Sequence, residues 1–180
     1  MSRSNVVLAI LVAIAAASLG YFSGRGLRSS APTAESPAAL ARLMETRFPD
    51  FTGQYQTLAQ GKGHVQVVNF WATWCPPCRE EMPELSRMAD DYRPAGVKFA
   101  GIAVDEAAAV ARYLTAAPVS YPVWLGDPAS MQLTAALGNA SQALPFTLIL
   151  GRDGRVAYVK VGMISAKELR AELDGLLRRP

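Results

Sequence analysis

The segment Trp71-Ala72-Thr73-Trp74-Cys75-Pro76-Pro77-Cys78 constrains this chain more than any other. It joins a run suited to a buried strand, Val65 to Trp71 (VQVVNFW), to a run suited to a helix, from Pro76 to about Tyr92. The first run is β-branched and aromatic, without a charged side chain, as a strand covered on both faces requires. Pro76 and Pro77 open the helix where their missing N–H groups need no partner, and Pro94 and Gly96 end it. Both sulfurs therefore lie in the first turn of a helix, among unpaired N–H groups and at the positive end of the dipole. That setting favours a thiolate, against an ordinary thiol pKa of about 8.5.

These are the only two cysteines in 180 residues, three positions apart. A pair this close closes a small loop and adds little stability in the chain-entropy account, so it reads as chemistry rather than as a staple. Cys75, at the helix edge, is expected to attack a disulfide. Cys78, one turn on and facing inward, is expected to displace the captured sulfur. A bare C-x-x-C also fits a structural pair or half of a metal site. A closed zinc site wants four ligands, and the chain offers two Cys and the single histidine, His64, which reads as a solvated turn residue. A c-type haem attachment would need His where Arg79 stands. Two thiolates can hold Cu(I), so a copper-carrying module, with His64 recruited, is the second reading.

Around this segment the pattern predicts helices over 38–47, 106–116 and 130–137, and a last one capped by Ser165, with Glu168 at the capping-box position, to about Leu177. It predicts a short strand within 51–58, then strands over 97–104, 121–125, 146–150 and 156–161, the last two joined at Asp153-Gly154. The order is strand, helix, strand, helix, then a hairpin and a closing helix. The expected fold class is α/β, with a mixed central sheet flanked by helices on both faces, parallel first and antiparallel at the end.

Residues 1–28 stand apart. Val6 to Phe22 is uncharged, and its seventeen residues would make a helix of ~26 Å, near the short limit for a bilayer. It reads as a signal anchor, with a cleaved signal peptide as the alternative because Ala15-Ala16-Ala17 fits a cleavage site. Arg3 precedes it and Arg25 and Arg28 follow, a count that by itself favours a cytoplasmic C-terminus. Residues 29–37 read as a linker, leaving 38–180 as the domain. Of eighteen Lys and Arg, those three lie in this extension, and the remainder balance the fifteen Asp and Glu. The basic pI is thus a property of the extension and gives no nucleic-acid footprint.

The run Asn69-Phe70-Trp71-Ala72-Thr73-Trp74-Cys75-Pro76-Pro77-Cys78 closely resembles the membrane-anchored thioredoxin-like reductases of the TlpA/ResA group, which are also similar to the reductases of cytochrome c maturation. The likeness extends over most of Phe48 to Leu177, through Phe48-Pro49-Asp50-Phe51, Glu81-Met82-Pro83 and Leu144-Pro145-Phe146-Thr147. It implies a thioredoxin fold and a protein thiol–disulfide oxidoreductase whose catalytic set is Cys75, Cys78 and Glu81. Pro145 matches the group's cis-proline beside the dithiol, and the backbone there pairs with an extended client segment. Trp74, Pro76, Pro77, Leu144 and Pro145 form the implied client-contacting set. Glu81 matches an acid near the inner cysteine that shuttles protons; its alternative is a surface charge in the first turn. Asn69 stands where ordinary thioredoxins carry a buried Asp, which moves the proton role elsewhere. Pro83 should kink the helix.

The resemblance implies no cofactor beyond the redox-active disulfide Cys75–Cys78. It implies disulfide-containing client proteins, a membrane thiol carrier as electron donor, and a periplasmic domain held at the inner membrane or released by cleavage. The chain departs from the group in a short 51–65 segment and at 138–144 (GNASQAL), which lacks the usual Gly-Val-x-Gly run.

Overall fold

The computed structural model describes residues 36–178. The expected anchor or signal peptide, and most of the expected linker, lie outside the described residues. Among those described, no helix is long and apolar enough to cross a membrane.

Helix α1 (Pro37–Glu45) opens the domain, its first turn capped by the Ser36 hydroxyl. Two short strands follow, β1 (Phe48–Pro49) and β2 (Tyr55–Gln56), then a 3-10 turn at Leu58–Gly61. Next come β3 (Gln66–Trp71), α2 (Pro76–Tyr92), β4 (Lys98–Ala103), α3 (Ala107–Ala116), β5 (Val123–Leu125) and α4 (Pro128–Ala135). The closing hairpin is β6 (Phe146–Leu150) and β7 (Val156–Val161), and α5 (Ala166–Leu177) ends the fold.

The main sheet runs in the order β5-β4-β3-β6-β7. β3, β4 and β5 are parallel, while β6 lies antiparallel to β3 and β7 antiparallel to β6. This is the expected mixed sheet. β3 is central and every residue in it is buried. Its side chains alternate between faces. Val67 and Trp71 join the core beneath α2, α3 and α5, with Leu85, Val110 and Leu169. Val68 and Phe70 join the core beneath α1 and α4, with Leu43 and Met131. The helices thus cover both faces of the sheet.

The register positions the site. Phe70 pairs with Phe146, the last pair between β3 and β6. The residues just before β6, Leu144 and Pro145, therefore lie beside the end of β3 from which the dithiol loop departs.

Several expectations shift in detail. The single short strand expected within 51–58 is a two-stranded element, because Asp50 folds the intervening turn. Its carboxylate accepts from Thr52 N–H and hydroxyl, Gln54 N–H and the Gln56 amide. Helix α4 starts two residues before the expected Ser130, because Asp127 caps it and Pro128 supplies a preset φ. In the 151–155 turn only Gly154 takes a positive φ, since Asp153 spends its carboxylate on Arg155 N–H. Glu168 does not complete a capping box. Its carboxylate instead receives the Tyr158 hydroxyl at 2.5 Å and Lys160 Nζ at 2.9 Å. Helix α2 continues through Pro83. The carbonyl that Pro83 leaves without a helical donor belongs to Arg79, which is exposed to water.

Candidate active site

Cys75 is the N-cap of α2, and its sulfur accepts the N–H of Cys78 at 3.3 Å. The two sulfurs form a disulfide with Cα atoms 5.3 Å apart. A sulfur in this position is held by an otherwise orphaned N–H and by the positive end of a seventeen-residue helix. Both effects favour its anion when the bond is open. Cys78 is wholly buried, and Cys75 is only 3% exposed, less open than a helix-edge position implied. The rim above them is Trp74, 66% exposed, and Pro76, also exposed, with Pro77 half-buried. Trp71, by contrast, is core, its ring 5.4 Å from that of Tyr113.

The loop that presents Cys75 is pinned from the next strand. The Asp105 carboxylate, just past β4, accepts both the N–H (2.8 Å) and the hydroxyl (2.5 Å) of Thr73. Burial works to raise its pKa, but the two bonds from Thr73 and one from Glu106 N–H hold it below the ordinary value.

Glu81 lies on the buried side of α2, only 3% exposed, not on the surface of the first turn. It is one turn beyond Cys78, at a spacing that brings Cβ atoms to about 5–6 Å. Its Oε1 accepts from Asn69 Nδ2 at 2.8 Å, and its Oε2 accepts from Ile164 N–H at 3.0 Å. Burial pushes its pKa up to about 7, while the bonds from Ile164 and Asn69 work against that rise. A carboxyl poised there can take up or give back a proton near neutral pH. Asn69 also donates to the Thr147 hydroxyl at 3.1 Å, so its amide bridges α2 and β6.

Leu144 and Pro145 approach from the other side, joined by a cis peptide bond. Pro145 is buried and Leu144 half-buried, packed against the core that contains both cysteines. The Pro145 carbonyl accepts from Gly162 N–H at 2.8 Å. The unusual 138–144 segment has its own organiser in Asn139. Its amide donates to the Ala143 carbonyl and accepts from the Ala143 N–H, each at 3.0 Å.

The expected site residues thus gather around the end of β3. His64 does not join them. It is exposed, at the far end of that six-residue strand, ~20 Å away by strand geometry. Four contributors escaped the sequence reading: Asp105, Asn139, Thr147 and the backbone of Ile164. An Asp just beyond a strand, or an Asn before a Leu-Pro, carries a weak signal, and a backbone amide carries none.

The redoxin family model matches residues 31–177. The chain is 30% identical to the thiol:disulfide interchange protein DsbE of Allochromatium vinosum, over 98% of this chain and 93% of that protein. It is 28% identical to the thiol-disulfide oxidoreductase ResA of Bacillus anthracis, over 72% of this chain and 71% of that protein. Among solved structures it is similar to a thiol:disulfide interchange protein of the thioredoxin family from Chlorobium tepidum. The TM-score there is 0.66 at 28% identity, covering 73% of this chain and 92% of the other. With this match, and with a dithiol at a helix tip beside Leu144-Pro145, the chain belongs to the redoxin family and is a thioredoxin-like thiol–disulfide oxidoreductase.

Proposed function

We propose that the domain reduces disulfides in partner proteins outside the cytoplasm, with Cys75 attacking, Cys78 resolving and Glu81 moving the proton. The carrying observation is the Cys75 sulfur seated as the N-cap of α2, 3.3 Å from Cys78 N–H. In the reduced protein the Cys75 thiolate attacks one sulfur of a client disulfide. The client S–S bond breaks, and its other sulfur leaves with the electron pair. The Cys78 sulfur then attacks Cys75 Sγ while its proton passes to the Glu81 carboxylate. The bond to the client breaks, the second client thiolate departs, and the Cys75–Cys78 disulfide closes. The client lies extended across Trp74, Pro76 and Pro77 and pairs with the backbone at Leu144-Pro145 by strand addition.

Electrons return from a membrane thiol carrier, and residues 1–28 hold the domain at the inner membrane or direct its release into the periplasm. Clients in cytochrome c or copper-site maturation fit the resemblance to the reductases of that process. The rival reading has the same two thiolates carry Cu(I). His64, which it would recruit, lies at the opposite end of β3.

Expression of Cys78→Ser tests the reading. Mixed disulfides with client proteins should accumulate on Cys75, be released by dithiothreitol, and be missing when Cys75 is also Ser. A variant that captures nothing, together with a native protein that leaves a model protein disulfide intact, would sink the reductase reading.

A further inference from the structure

Two backbone bonds leave one short loop for two different parts of the site. Gly162 N–H holds the Pro145 carbonyl at 2.8 Å, and two residues on, Ile164 N–H holds Glu81 Oε2 at 3.0 Å. Between them Met163 is 41% exposed, while Ile164 is buried. Gly162 turns the chain with φ +85°, and a Cβ there would meet no atom within 4 Å. The loop after β7 is therefore a strap. One end is tied to the edge where a client would pair, the other to the group that would receive the resolving proton.

We propose that the Gly162–Ile164 strap is a positioning element that ties client grip to the proton on Glu81: ionised Glu81 fixes the strap and tightens docking at Pro145, and protonated Glu81 slackens it. The inference rests on the reductase reading above and deepens it. A carboxylate accepts a shorter and stronger hydrogen bond than a neutral carboxyl does. With Glu81 ionised, Ile164 is held firmly, and the strap holds Pro145 in its bonded geometry before a client arrives, so little ordering remains to oppose docking. When Cys78 resolves the mixed disulfide, its proton neutralises Glu81 and the grip relaxes. Release of the reduced client then coincides with closure of the Cys75–Cys78 bond.

The surroundings of the carboxyl support this assignment. β3 offers it the neutral Asn69 amide, the strap offers a backbone N–H, and α5 offers apolar Leu169 and Leu173 to the same core. The loop before β5 brings the buried Tyr121 phenol, whose pKa is raised by burial and by Glu81, so it stays protonated. Cys78, one turn back on α2, is replaced by Ser in the protein tested below. Glu81, pushed by burial to about 7, therefore changes charge in the working pH range.

Linkage makes the coupling measurable from either side. A short peptide with one cysteine, activated as its thionitrobenzoate disulfide, is reacted with the full-length Cys78→Ser protein. The Cys75 thiolate displaces thionitrobenzoate and keeps the peptide as a mixed disulfide. A second sample carries β-mercaptoethanol on Cys75 by the same exchange, which caps the sulfur without offering a backbone. The Glu81 carboxyl carbon is followed by NMR against pH in both. The midpoint should lie lower in the peptide adduct by about one pH unit, which corresponds to a roughly tenfold tighter grip by the ionised form. In the unmodified protein the Gly162 and Ile164 amide protons should shift together through the Glu81 midpoint. Gly162→Ala should bring the two adducts to one midpoint.

Coincident midpoints in the two unsubstituted adducts would overturn the strap while leaving the reductase reading intact. So would a Gly162 amide that stays flat while Ile164 titrates, a measurement that does not depend on the alanine variant folding. A protein that forms no peptide adduct while still exchanging with β-mercaptoethanol would count against the reductase reading itself, and the strap would fall with it.

Discussion

Asn69 and Glu81, twelve positions apart on β3 and α2, meet through a 2.8 Å bond in the interior of the domain, with the amide nitrogen donating to the carboxyl. The pairing places a neutral donor against an acid that burial has made reluctant to ionise. The amide lowers the cost of the charge without adding a second titrating group. Asn69→Asp should replace that arrangement with two carboxyls at hydrogen-bond distance, which cannot both ionise at small cost. The pair should titrate in two steps, one well above 7. Carboxyl NMR would show this, and a single step near 7 would contradict it.

Glu81 also gives stability a pH dependence of definite sign. Its folded pKa, raised by burial from 4.5 to about 7, exceeds that of the unfolded chain. Its contribution is therefore fully present below 4.5 and is lost as pH rises to about 7, levelling off above. The loss is about 3 kcal/mol. Urea denaturation at a series of pH values should show this decline in the native protein and its absence in Glu81→Gln. In exchange kinetics, Glu81→Gln should slow the resolving step by about 10²-fold at pH 8 and flatten its rise through pH 7.

Trp74 separates function from stability. Its side chain is 66% exposed, so Trp74→Ala should change unfolding free energy by no more than about 0.5 kcal/mol. If it forms the client rim, reduction of a protein disulfide should weaken by about tenfold, through the half-saturating client concentration. Reduction of a small aromatic disulfide should change little. Parallel kinetics on the two substrates make the comparison.

Gly101 sits in β4 where a Cβ would come within 3.1 Å of the Tyr121 ring and 3.2 Å of the Trp71 indole nitrogen. Both side chains are buried. Gly101→Ala should therefore destabilise the fold by about 1–3 kcal/mol, read as a lowered denaturation midpoint with an unchanged m-value.

Asp105 holds the dithiol loop through Thr73 rather than through the cysteines. Asp105→Ala removes the acceptor for three donors, the Thr73 N–H and hydroxyl and the Glu106 N–H, and should cost about 1–2 kcal/mol. It should also slow capture by Cys75, because the loop loses its anchor. Asp105→Asn, which keeps one acceptor, should recover part of both. Stopped-flow capture of an activated disulfide measures the rate.

Much of this was legible in the chain itself. The VQVVNFW run reads as a buried strand, and Pro-Pro after Cys75 marks the helix start, so the sequence alone sets the sulfurs at a strand-to-helix turn. The strand order followed from the alternation of elements and the Asp-Gly turn. Glu81 was the divided case. Its position in a helix's first turn is as well suited to a solvated acid as to a buried one, and only its partners on β3 and after β7 decide between them. Much of what escaped the sequence shares one physical character. Thr73–Asp105, Glu81–Ile164 and Pro145–Gly162 are long-range bonds in which at least one partner is a backbone group, and every residue but proline carries the same N–H. Local pattern has no means of telling one amide from another. The two-stranded element at 48–56 was likewise missed because its strands are two residues each, too short for any periodicity.

The disulfide joins the only two cysteines, at positions 75 and 78. During synthesis both sulfurs are available some seventy residues before Leu144-Pro145 has been made, and nearly ninety before Ile164. Under oxidising conditions the chain meets its one possible internal crosslink early and cannot scramble it, since no third thiol competes. Errors of pairing can arise only between separate chains, which makes high protein concentration the condition under which this protein is vulnerable.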